Sequence, residues 1–122
     1  MELNWRKQKI EKWRIEELTL VLKQLGEVLK KGNNGEWANV FLHFYQEAQF
    51  ITASKELDLG QVKKLLRNIK NCFSGMSSLQ NIVLWHENTE EKILINEEFP
   101  QVRARLLKIL DEIESRTIEY VS

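Results

Sequence analysis

The chain is poor in the residues that announce chemistry or architecture: one cysteine, one proline, two histidines and two aspartates in 122 residues. Each scarcity excludes something. A lone Cys72 cannot close an internal disulfide, so no oxidised scaffold is expected. Lysine plus arginine number 18 and aspartate plus glutamate 18, so no overall field draws the molecule to nucleic acid. No unbroken apolar run is long enough to cross a bilayer, and Met1 to Lys7 lacks the apolar stretch of a signal peptide. A cytoplasmic chain with no membrane or nucleic-acid partner is expected. With no repeat, low-complexity tract or proline-rich linker, residues 1–122 read as one domain long enough to bury a real core.

Catalytic groups are equally thin. His43 lies beside the Phe41/Phe44 stripe and reads as a boundary residue rather than a general base. His86 follows Trp85 among several carboxylates and is the better placed of the two for a partner contact. A lone histidine with no nearby cysteine or second histidine specifies no metal site. Cys72 falls at the end of a helix, not at an N-terminus that would lower its pKa, and reads as a structural thiol. Asp58 and Asp111 read as helix-end or solvent-facing groups, and no carboxylate pair is placed for acid–base work. The expectation is a protein that is not an enzyme and carries no cofactor.

What is abundant is helical periodicity. Ile10, Trp13, Leu18, Val21, Leu22, Leu25, Val28 and Leu29 predict a long first helix over about 3–31, closed by Lys30-Lys31-Gly32. A second helix, about 35–53, carries Trp37, Val40, Phe41, Phe44, Tyr45, Ala48 and Ile51. Asn33 with Glu36 resembles a capping box at its start. Asp58 suits the cap of a third helix, about 59–73, with Val62, Leu65, Leu66, Ile69 and Phe73 on one face. Phe99-Pro100 predicts the start of the last helix, about 99–117, with Val102, Leu106, Ile109, Leu110 and Ile113 buried.

Between these last two helices the periodicity breaks. Ile82-Val83-Leu84-Trp85 and Ile93-Leu94-Ile95 are β-prone runs around a polar interval, and they predict a small β-hairpin over about 81–96. The expected fold class is therefore mainly α, a compact four-helix domain with a small hairpin before the last helix. Gly75, Met76, Ser77 and Ser78 describe a specific turn before the first run, with Gly75 at positive φ. Such a turn could offer backbone N–H groups to an anion, but plugging Met76 into the core and capping the helix is the commoner use.

The run Cys72-Phe73-Ser74-Gly75-Met76-Ser77-Ser78-Leu79-Gln80-Asn81-Ile82-Val83-Leu84, followed by Ile93 to Glu98 and Val102 to Leu106, resembles a group of small, uncharacterised bacterial proteins. Their shared pattern is roughly Phe-x-Gly-Met-x-Ser-x-Asn-Asp-Leu-Val-Leu, then a step rich in Asn and Glu into a Leu-Arg-x-x-Leu helix. Trp37-Ala38 and Glu47-Ala48 are similar too, so the likeness spans about residues 33 to 115. Where the pattern has Asn-Asp this chain has Gln80-Asn81, which removes the acidic group at that step. Proteins of this kind resemble the immunity partners of bacterial polymorphic toxins. The resemblance implies an immunity or antitoxin-like protein that binds a cognate toxin, such as a nuclease, and occludes its active site.

Charge is balanced in total but not in place. Residues 86–98 hold five acidic side chains and one basic, net −4, and residues 1–31 hold eight basic and five acidic, net +3. The bland reading of the acidic segment is a solvated tip, with Glu97 and Glu98 favoured at a helix N-terminus. The functional reading is a surface for a basic partner in which Trp85 anchors and His86, Glu87, Glu90, Glu91, Glu97 and Glu98 surround it. Arg6, Lys7, Lys9, Lys12 and Arg14 interleave with Trp5, Ile10 and Trp13 but share no helical face, and a solvated helix accounts for them. A homodimer or scaffold built on the first helix is the alternative to a toxin partner. A nucleic-acid regulator is disfavoured by the charge balance.

Overall fold

The structure, a computed structural model, describes residues 10–75 and 78–121. Among them are four helices, α1 Lys12–Lys31, α2 Gly35–Ala53, α3 Leu59–Asn71 and α4 Thr89–Val121, with a single 3-10 turn at Leu79–Asn81. None is long and apolar enough to cross a membrane. The main packing pairs are α1 with α2, α2 with α3, α3 with α4 and α4 with α1, a closed ring around one core. Long-range contacts give the directions. Lys12 Nζ donates to the Ser54 carbonyl, so α1 begins where α2 ends. Arg14 meets Glu112 and Arg105 meets Gln24, so α1 runs antiparallel to α4 as well.

The core follows the expected stripes closely. Ile15, Leu18, Leu22, Leu25 and Leu29 of α1 are fully buried against Phe41, Leu65, Ile69, Leu106 and Leu110. Phe41 and Phe44 meet edge to face at 5.4 Å. Asp58 caps α3 by accepting from the Gly60 and Gln61 N–H groups. Lys30 and Lys31 occupy the last turn of α1, with Gly32 after them.

Several expectations need correction. Trp13 is 49% exposed, and Arg14 takes the inward position. Trp13 lies five residues before Leu18, which at 100° per residue points it well off the Leu18 face. Residues 3–9 of the expected first helix lie outside the described residues, and Glu11 is the extended N-cap of α1. The α2 cap is Asn34, which accepts from the Trp37 N–H, not Asn33. Helix α3 stops at Asn71, so Cys72 and Phe73 lie in the turn that follows.

The largest correction concerns 81–96. No hairpin forms, and no strand occurs among the described residues. Ile82 is extended, residues 82–86 belong to no helix or strand, and the chain turns helical at Thr89, not Phe99. Asn88 is the reason: its Oδ1 accepts from the Glu91 N–H, and Glu90 and Glu91 fill the first turn, where the helix dipole favours them. Helix α4 then runs through Pro100, which is exposed on the outer face. Ile95, Phe99, Val102 and Leu106 keep a continuous buried stripe across the proline, so packing overrides the broken backbone bond.

Candidate partner-binding surface

The connection from α3 to α4 runs back along α4. Lys70 faces Asp111 and Glu114, Arg103 donates to the Gln80 carbonyl, and Leu84 meets Asn96. Gly75 has φ +90°, as expected of the turn, and Ser78 is buried. Met76 and Ser77 lie outside the described residues. Leu79 enters the core at zero exposure, and its N–H donates to the Cys72 carbonyl at 2.8 Å.

Residues 82–86 form a strap over the junction of α1, α2 and α4. Leu84 is the plug, fully buried. Its N–H donates to Asn96 Oδ1 at 3.1 Å and its carbonyl accepts from Asn96 Nδ2 at 2.9 Å. One residue on, the Trp85 N–H donates to the Gly32 carbonyl at 3.1 Å, and the Trp85 carbonyl accepts from Asn33 Nδ2 at 3.0 Å. Asn33 reaches this carbonyl from a left-handed backbone at φ 59°, a conformation asparagine tolerates. All four backbone polar groups of Leu84 and Trp85 are therefore paired. Strand addition at these residues is blocked, and recognition here falls to side chains.

The neighbours of the buried Leu84 face outward, the alternation of a strand without its pairing. Val83 is 81% exposed and Trp85 51%. His86 is half-buried, and its Nδ1 accepts from the Asn88 N–H at 3.0 Å, which fixes the turn into α4. Residues 89–94 of α4 are all exposed, so the first turns of the helix project as a prow. It presents Ile93 and Leu94 alongside Glu90 and Glu91, with Glu87 before it and Glu97 and Glu98 behind, all exposed. The fold thus brings the expected acidic residues and Trp85 to one end of the molecule, with His86 in a local structural role. Sequence reasoning missed Val83, Ile93 and Leu94, which it assigned to strands. The signal for the last two was the cap Asn88-Thr89-Glu90-Glu91.

The other expected residues are dispersed. His43 is exposed and lies 3.0 Å from Glu47 one turn along α2. Cys72 is half-buried, its Sγ donates to the Asn68 carbonyl, and burial pushes its thiol pKa up, away from a nucleophilic thiolate. Asp111 is exposed near Lys70. Arg14 is held by Glu11 and Glu112 and stacks over Trp13 at 4.4 Å, and the guanidinium lowers the Glu11 carboxyl pKa. Arg6, Lys7, Lys9 and Trp5 lie outside the described residues. Among the described residues no group of three or more His, Cys, Asp or Glu side chains could hold a metal ion. In comparisons with family models, curated proteins and solved structures, the chain matches none.

Proposed function

We propose that the chain is a non-catalytic bacterial immunity protein, cytoplasmic and cofactor-free, that binds a cognate toxin and covers its active cleft. The observation that supports this reading is the prow. Exposed apolar residues bordered by glutamates are placed on a pinned strap and a helix start, so little ordering is needed on binding. A basic groove, such as the substrate cleft of a nuclease, is the complementary surface. Glu87, Glu90 and Glu91 would steer the encounter, and Trp85 with Val83 would supply the desolvated anchor. The resemblance of the Cys72–Leu84 run to small, uncharacterised bacterial proteins, whose size and kind are those of toxin immunity partners, supports the same reading.

The alternative, a homodimer through α1, draws on the exposed Trp13 and Leu20 of its outer face. Glu16 and Glu17 lie between them, so a two-fold antiparallel pairing sets like charges against each other. The test is affinity capture of the tagged protein with the product of the neighbouring gene co-expressed, followed by mass spectrometry. Recovery of a larger protein with a toxic C-terminal region at equal stoichiometry is the expected result. Recovery of this chain alone contradicts it.

A further inference from the structure

The prow is one pole of the molecule, and helix α3 is the other. Within 59–71 it carries Lys63, Lys64, Arg67 and Lys70 and no acidic residue. Lys70 is engaged by Asp111 and Glu114. Lys63, Lys64 and Arg67 are exposed, share one outer face by their three- and four-residue spacing, and form no ion pair among the described residues. Lys64 and Gln61 line one side of a cleft of about 380 Å³ between α3 and α2, opposite Gln46, Glu47, Phe50 and Ile51. Phe50 is 67% exposed there. Glu47, the acidic residue of the lining, lies 3.0 Å from His43.

We propose that the two poles meet between copies: the acidic, apolar prow of one chain docks on the α3 face and Phe50 cleft of a second, giving head-to-tail self-association. The charges are opposite, net −4 over 86–98 against the three cations Lys63, Lys64 and Arg67 that remain once Lys70 is paired with Asp111 and Glu114. Each pole also carries an exposed aromatic, Trp85 on one and Phe50 on the other, able to pair once water is displaced. The poles cannot satisfy each other within one chain. Asn34, which opens α2 beside the strap, and Phe50 are separated along the helix by about 24 Å at 1.5 Å per residue. A contact between two different faces leaves one of each free on a head-to-tail pair, so further copies can add, into a ring where the rotation closes and a filament where it does not. This association goes beyond the toxin reading and competes with it for the prow, so a bound toxin would dissolve it.

Sedimentation velocity of the full chain, at about 0.01 M and about 0.5 M salt, tests it, because exposed charges couple over a longer range at low salt. The wild type is expected to grow in mass past the dimer with concentration at low salt and to return to monomer at high salt. Two variants, Lys63→Gln/Lys64→Gln/Arg67→Gln and Glu87→Gln/Glu90→Gln/Glu91→Gln, replace only exposed side chains, and circular dichroism checks that both fold. Each alone is expected to be monomeric. Their equimolar mixture retains one intact prow and one intact basic face, and is expected to stop at a dimer. A wild type that stays monomeric, a closed wild-type dimer, assembly that survives in either variant alone, or a mixture that stays monomeric overturns the proposal. Toxin capture that succeeds while self-association fails overturns this inference and leaves the immunity reading standing.

Discussion

Asn96 grips the backbone of Leu84 from both sides, accepting its N–H at 3.1 Å and donating to its carbonyl at 2.9 Å, so a side-chain amide takes the place of a neighbouring strand. The same Nδ2 also donates to the Lys92 carbonyl one turn back on α4. Through this residue the strap that displays Val83 and Trp85 is fastened to the helix that displays Ile93 and Leu94.

Replacing Asn96 by alanine leaves the part-buried Leu84 N–H and carbonyl without partners. The expected loss is about 1–3 kcal/mol of stability, the cost of unsatisfied buried polar groups. Asn96→Asp restores an acceptor but no donor, and sets a carboxylate against the Leu84 carbonyl, so it should not rescue. Urea unfolding reads the stability, and amide exchange at Leu84 and Trp85 shows whether the strap lifts before the helices open.

Gly32 is where the strap crosses the end of α1. A Cβ added there would lie 2.6 Å from Leu84 Cβ and 2.9 Å from its Cγ and Cδ2, closer than carbon atoms pack. Gly32→Ala is expected to destabilise by about 1–3 kcal/mol through overpacking. Leu84→Ala alone should cost about 2–5 kcal/mol. The double variant should lose less than the sum, because the shortened side chain removes two of the three clashes. Additivity in a double-mutant cycle would mean that the two residues do not meet.

Pro100 lies within α4 on its exposed face and denies the Asn96 carbonyl its backbone donor. Pro100→Ala restores that donor. Against this stands the entropy gained by the unfolded chain, about 0.4–1 kcal/mol. The helix term is larger, so the variant is expected to have a higher Tm, whereas a proline that also positions the prow would give a lower one.

Cys72 is raised in pKa by burial, so the folded protein favours the neutral thiol. Its contribution to stability is whole below the ordinary thiol range and is lost as pH rises from there through the higher folded value. Native protein should react slowly with a thiol reagent at neutral pH and react fully once unfolded. Fast modification of the native chain would contradict the burial of this sulfur.

The helical frame was legible because 3.6-residue periodicity is local. Val62, Leu65, Leu66 and Ile69, or Leu106, Ile109, Leu110 and Ile113, name their buried face without any knowledge of what covers it. The segment 82–98 was not legible for the opposite reason. Three consecutive apolar residues, Ile93-Leu94-Ile95, fit a strand or a helix equally, and the decision came from the Asn88 cap upstream and from the buried stripe that continues through Pro100. The strap itself depends on the Leu84 pairing with Asn96 and the Trp85 pairings with Gly32 and Asn33, and no pattern in sequence foretells contacts between residues 52 apart. The acidic character of the site could be read directly from composition. Its apolar half emerged only when Leu84 was placed inward and Val83 and Trp85 therefore outward. The basic face of α3 is hidden in the sequence because Lys63, Lys64 and Arg67 alternate with the buried Val62, Leu65, Leu66 and Ile69.

Toxin binding through the acidic prow is tested by the association rate of the captured toxin with wild type and with a Glu87→Lys/Glu90→Lys/Glu91→Lys variant at low salt, alongside Trp85→Ala. Charge reversal is expected to slow association by one to two orders of magnitude, roughly the span over which steering acts. Trp85→Ala is expected to leave the on-rate nearly unchanged and to raise the off-rate. A charge-reversed variant that binds at the wild-type rate would contradict binding through the prow and place the toxin-binding surface elsewhere on the molecule.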